Sequence, residues 1–173
     1  MDEYYSVIQF LPEPLRTELK AMPPECAACV QEIRLRAGQA VQFTVGGAWQ
    51  PAQQLLPAAQ TALAIGPRML RSCFAALCRD SAYAYEDELK QGYFTLPGGS
   101  RVGVAGVCGP AGFADITSLN LRVARQVPCV LPPQLRRTLD ALNGGLLVFA
   151  PPPAAKTLFS RTISATRKPP APF

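Results

Sequence analysis

Glu32-Ile33-Arg34-Leu35-Arg36-Ala37-Gly38 and, three residues on, Val41-Gln42-Phe43-Thr44-Val45-Gly46-Gly47 carry the first architectural signal. Both runs alternate with period two, Gly38 interrupts them, and Gly46-Gly47 closes the second. That is a strand, turn, strand pattern. Toward the N-terminus, Val7, Ile8, Leu11, Leu15 and Leu19 recur at helical spacing, and Pro12 and Pro14 split the stretch into two short helices. Pro23-Pro24 open a further helical turn, a position where proline is tolerated.

Toward the C-terminus, Gln50 to Gly66 is rich in Ala, Gln and Pro and weakly patterned, as expected of a surface connection. Pro67 opens an amphipathic helix through Met69, Leu70, Phe74 and Leu77. A short acidic helix, Tyr85 to Gln91, leads into Tyr93-Phe94-Thr95-Leu96, the turn Pro97-Gly98-Gly99-Ser100 and the returning strand Arg101 to Val107. The glycines of that strand imply close backbone approach on one side. Ser118 to Arg125 alternates again, with Asn120, Arg122 and Arg125 assigned to its polar side. Pro132-Pro133 begin a helix through Leu135, Leu139 and Leu142 that Asn143-Gly144-Gly145 ends.

Composition narrows the function classes. With 49% hydrophobic and 17% charged residues in 173, the chain has material for one ordinary core and the start of a second. The formal charge of +5 belongs largely to the tail: Lys156, Arg161, Arg167 and Lys168 follow the last acidic residue, Asp140. Without them 13 basic residues face 12 acidic ones. A nucleic-acid partner is therefore not expected. No stretch is long and apolar enough to span a membrane, and Asp2 and Glu3 stand where a secretory signal is cationic. A cytoplasmic chain is expected, with its six cysteines reduced and mostly structural; Cys26-Ala27-Ala28-Cys29 is the one suggestive spacing, and no metal site is assigned. Histidine is absent, which removes His-dependent nucleophile systems and mixed Cys/His metal sites.

Leu146-Leu147-Val148-Phe149 reads as a strand buried on both faces. The next eight residues are Ala150-Pro151-Pro152-Pro153-Ala154-Ala155-Lys156-Thr157, followed by room for a short helix. Strand, loop, then Lys-Thr at a helix start is the layout of a phosphate-binding loop. Its backbone N–H groups wrap the phosphates, the lysine reaches the terminal ones and the hydroxyl holds magnesium. Ala150 and Ala155 occupy the glycine positions of the general motif. Alanine in a left-handed conformation costs on the order of 1 to 2 kcal/mol, and proline deletes a donor. A plain Pro-Ala linker containing a lysine is the competing reading.

The loop resembles the x-Pro-Pro-Gly-x-Gly-Lys-Thr loop of the stage III sporulation protein AA family, relatives of the hexameric secretion ATPases. Three further motifs match in order: Glu32 to Gly38; Gly92-Tyr93 with Leu96 to Gly103; and Asp115 to Arg125. The resemblance runs from Met1 to about Arg161. Pro153 and Ala155 replace family glycines, while Pro151, Pro152, Lys156, Thr157 and Arg161 are kept.

The resemblance implies an α+β N-terminal domain, a mixed or antiparallel sheet with flanking helices, followed by the first strand and helix of a truncated RecA-like α/β motor. The expected domains are residues 1–130, the N-terminal domain; 131–166, a linker helix with the first strand, degenerate loop and short helix; and 167–173, a disordered tail. ATP and Mg2+ are the family's cofactors, and this chain is expected to bind neither tightly and to hydrolyse nothing, with no catalytic residue assigned. The family role is to power or assemble a channel between mother cell and forespore, as a homo-oligomeric ring docked on membrane-embedded channel proteins. That puts the chain in the cytoplasm or peripherally at the mother-cell membrane. A non-catalytic assembly module, or the product of a gene decayed or cut short near residue 150, is the alternative.

Arg34, Arg36, Arg101, Arg122 and Arg125 fall on the expected strands and turns of the N-terminal domain. They either pair with Glu32, Glu86, Asp87, Glu88 or Asp115, or line a cleft where planar forks meet carboxylate or phosphate. Pairing is the usual arrangement for strand arginines; the resemblance points toward the cleft.

Overall fold

The computed structural model of the protein describes residues 2–56, 63–79, 82–109, 112–125 and 132–141. The chain forms two compact units, Met1–Arg125 and Gln126–Phe173.

The first unit begins with α1 (Glu3–Ile8), whose N-terminus the Asp2 carboxylate caps by accepting from the Tyr4 N–H at 2.8 Å. Tyr4, Val7 and Ile8 form its buried stripe. The stripe meets Leu15 and Leu19 of α2 (Leu15–Lys20), where the buried Tyr4 hydroxyl donates to the Leu19 carbonyl at 2.9 Å. The one-turn α3 (Pro24–Ala27) starts on proline and leads directly into β1 (Val30–Arg36).

After Gly38, at φ 74°, come the short β2 (Gln39–Ala40), β3 (Gln42–Val45) and β4 (Ala48–Pro51). Gly46 and Gly47, at φ 59° and 81°, make the two-residue turn joining β3 to β4 with Val45 opposite Ala48. Both turn residues need positive φ in a type I′ hairpin, which explains the glycine pair.

The stretch read as a connection is more structured than expected. It contains α4 (Ala52–Leu55) and β5 (Ala64–Ile65), pairs β5 with β2, and buries Ala52, Leu56 and Ile65. Elements of two to four residues are too short to show periodicity, which is why their pattern is faint in the sequence. Next are α5 (Pro67–Leu77), a 3-10 turn (Ala82–Tyr85), α6 (Glu86–Leu89), β6 (Tyr93–Thr95), β7 (Arg101–Gly109) and β8 (Gly112–Arg122). The last strand starts six residues before its clear alternation.

Strands β4-β3-β1-β8-β7-β6 form one antiparallel sheet in that order, so β1 and β8 are central. Ile33, Leu35, Phe43, Phe94, Val102, Leu119 and Leu121 supply the sheet's buried apolar positions, and they join one core cluster with the helical residues Tyr4, Ile8, Leu19, Leu70, Cys73 and Leu77. Phe74 of α5 meets Phe94 edge-on at 6.2 Å. Gly106 sits at a bulge between β7 and β8, where an added Cβ would come within 2.0 Å of the Asp115 carbonyl oxygen. Here the close approach inferred from the glycines is literal.

Of the second unit, α7 (Pro133–Asp140) is described: Leu135 and Leu139, four apart, are its half-buried positions and the rest of the helix is exposed. The expected strand Leu146 to Phe149, the loop Ala150 to Thr157, the short helix after it and the tail lie outside the described residues.

Candidate functional site: an arginine face on the sheet

Strand alternation sends the core residues one way and a second set the other. Register shows what that second face carries. Glu32 lies opposite Arg122 and Thr44, Thr44 opposite Trp49, and Arg122 opposite Arg101, which faces Thr95. In the next row Arg34 lies between Gln42 and Asn120, and Asn120 opposite Gly103, whose other neighbour is Tyr93. Arg36 faces Ser118 one row further. Arg34, Arg36, Arg101 and Arg122 therefore share one face, and in the rows they occupy Glu32 is the one carboxylate among the described residues.

Their partners differ. The Arg122 Nε donates to Glu32 Oε1 at 2.8 Å, and Thr44 Oγ1 donates to the other carboxylate oxygen at 3.4 Å. The Arg34 guanidinium lies 3.6 Å from the centroid of the Trp49 ring, a cation–π stack on an indole that is 45% exposed. Arg101 approaches Tyr93 at 5.3 Å. Among the described residues no carboxylate pairs with Arg34, Arg36 or Arg101. Asn120 Oδ1, between these groups, is buried without a hydrogen-bond partner. Like charges directly opposite on neighbouring strands oppose pairing, so Arg101 facing Arg122 costs the fold some stability.

Arg125 lies elsewhere. Its Nη1 donates to Asp2 Oδ2 at 2.9 Å and Glu3 Oε2 at 3.3 Å, its Nε to the Val30 carbonyl at 2.9 Å, and its Nη2 to the Ala27 carbonyl. It ties the start of α1 and the end of α3 to β1. Being odd-numbered, it continues the phase of Leu119, Leu121 and Val123, all buried, and not that of Asn120 and Arg122. Burial raises the Asp2 carboxyl, but the Arg125 hydrogen bond, the Tyr4 N–H and the Arg125 charge together outweigh it and hold the group below its ordinary value.

Glu86, Asp87, Glu88 and Asp115 have partners other than these arginines. Asp115 pairs with Arg71 of α5 at 3.4 Å, Glu86 and Asp87 pair with Lys90 at 3.1 and 3.2 Å, and Glu88 accepts the Thr95 N–H at 2.7 Å. Trp49 and Tyr93 belong to the face but are not among the candidate site residues of the sequence. The Gly46-Gly47 turn was the available signal for Trp49, because a two-residue turn continues the alternation across the hairpin. Cys73 and Cys78 are buried, with thiols pushed up to about 12 and about 11 by that burial, whereas Cys26 is half-buried and Cys29 and Cys108 are exposed. Among the described residues no cluster of three or more His, Cys, Asp or Glu is placed to hold a metal, and no helix is long and apolar enough to cross a membrane.

The family model described as "Sporulation stage III, protein AA" matches residues 1–167. The chain belongs to that family. A curated relative, stage III sporulation protein AA of Bacillus subtilis (strain 168), is 31% identical over 163 residues, covering 91% of this chain and 50% of the relative. The chain thus spans about half the length of this stage III protein AA. Among solved structures, the Legionella pneumophila ATPase DotB is similar with a TM-score of 0.48 at 14% identity, over 79% of this chain and 37% of that one. The VirB11 ATPase of the Brucella suis type IV secretion system, solved in complex with sulphate, gives 0.40 at 17% identity, over 86% and 40% respectively. Likeness at that level adds nothing to the stage III protein AA assignment.

Proposed function

We propose that this member of the sporulation stage III protein AA family works through its first unit as a non-catalytic assembly module of a membrane-docked, secretion-motor-like complex between mother cell and forespore. The observation that carries this reading is the arginine face: among the described residues, four guanidinium groups, two of them beside aromatic rings, share their rows with one carboxylate, on the side of the sheet that its buried apolar residues do not occupy. Arginine with tryptophan and tyrosine is the composition of binding hot spots. Such planar donors suit carboxylate or phosphate groups.

Nucleotide chemistry is assigned a minor part. Ala150, Pro153 and Ala155 leave the loop around Lys156 and Thr157 short of the conformational freedom and open backbone that wrapping phosphates demands. The chain binds ATP and Mg2+ weakly or not at all and does not hydrolyse ATP. It acts on the cytoplasmic side, peripheral to the membrane. Purified protein should show no magnesium-dependent ATP turnover above that of Lys156→Ala, and both forms should be retained equally by membranes carrying the complex. Turnover abolished by Lys156→Ala would overturn the proposal.

A further inference from the structure

The chain carries the complement to its arginine face on a different part of its own surface. Helix α6 packs against β6, the edge strand, and presents Glu86 and Asp87 with side chains 64% and 97% exposed. Among the described residues, counting Glu88 and Lys90, this edge holds three carboxylates and one ammonium, and the rows of the arginine face hold four guanidiniums and one carboxylate. Strand order puts Arg34 and Arg36 of β1 three strands from β6, about 14 Å at ordinary strand spacing. No side chain bridges that gap among the described residues: Lys90 takes Glu86 and Asp87, and Glu32 alone answers Arg122.

We infer that the occupant of the arginine face is the acidic α6 edge of a second copy of this chain. The assignment rests on the assembly reading above and narrows it to a self-contact. Three features favour it over a fold-internal role for the arginines. Arg34 and Arg36 have no carboxylate partner among the described residues. Arg101 directly opposite Arg122 weakens the sheet, which an anionic partner offsets. Among the described residues the face is built from arginine with Trp49 and Tyr93 and carries no lysine, the bias of a protein interface rather than of a merely solvated surface. Contacts between exposed charges are individually weak, so several must act together, and the association is salt-sensitive.

Two charge-reversed full-length proteins test this, Arg34→Glu/Arg36→Glu and Glu86→Lys/Asp87→Lys, with folding checked by circular dichroism. Sedimentation velocity follows self-association at about 0.05 M and about 0.5 M salt, long and short screening lengths respectively. The wild type should associate at low salt and at least about tenfold more weakly at high salt. Each variant alone should be a monomer, because like charges then meet, and an equimolar mixture should regain the association, since each variant supplies what the other lost. Monomeric wild type at both salts, association indifferent to either reversal, or no recovery on mixing overturns the inference. If self-association fails in this way while retention by membranes still depends on Arg34 and Arg36, the self-contact is wrong and the assembly reading survives; loss of both removes both.

Discussion

Replacing Arg125 with alanine should damage the first unit more than replacing any arginine of the open face. The guanidinium joins its own segment to three others: Asp2 and Glu3 at the start of α1, the Ala27 carbonyl ending α3 and the Val30 carbonyl opening β1. Its side chain is 20% exposed and that of Asp2 25%, so solvent screens the pair only in part. Breaking a fully buried ion pair costs about 3 to 5 kcal/mol. Partial exposure argues for roughly half, and two carbonyls stripped of a donor add about 1 kcal/mol between them once water reaches them. A loss of about 3 kcal/mol follows, lowering the melting temperature by roughly 10 °C for a unit of this size.

Urea unfolding followed by circular dichroism at neutral pH measures that loss. Arg125→Lys should recover less than half, because an ammonium cannot reproduce the fork that reaches carboxylates and carbonyls together. A loss below about 1 kcal/mol in Arg125→Ala, or a lysine variant as stable as wild type, would refute the reasoning. The pH dependence has a definite sign. Asp2 has a folded pKa below its unfolded value, so its contribution is complete above that unfolded value, near 3.8, and disappears as pH falls through the folded one. Arg125→Ala should therefore flatten the acid limb of the stability curve.

Gly106→Ala should cost at least about 2 kcal/mol, since its Cβ would overlap the Asp115 carbonyl and separate the β7–β8 ladder; thermal melting checks this, and a shift within error contradicts the bulge geometry. Thiol labelling at pH 8 with peptide mapping should modify Cys29 and Cys108 quickly and spare Cys73 and Cys78 until the chain unfolds, because burial both shields these thiols and suppresses their thiolates. Equal labelling rates at all four would show that the packing of α5 is wrong.

Much of this unit was legible in the sequence where elements were long enough to repeat. The alternation around Ile33 and Leu35 gave β1, the Leu70 to Leu77 spacing gave α5, and the glycines at 98 and 99 gave the β6–β7 turn, where both take positive φ. The neighbours β4, α4 and β5 escaped because they are too short for a period to show, and only pairing defines them. Bulges hid the first half of β8: each inserts a residue and breaks the alternation before Ser118. Four of the five candidate arginines lie on one face because β1, β7 and β8 are adjacent, an order no local pattern could give. Arg125 was legible in principle, since its parity follows Leu121 and Val123. What it holds depends on the N-terminal helix folding back, which is a tertiary fact.

The most direct test of the assembly account is retention of the 173-residue chain by membranes from sporulating cells, compared among wild type, Lys156→Ala and Arg34→Ala/Arg36→Ala. Retention should be unchanged by Lys156→Ala and reduced at least about tenfold by the arginine pair, a factor that corresponds to about 1.4 kcal/mol. Retention lost with Lys156→Ala and kept with the arginine pair would contradict the account and return the function to the loop.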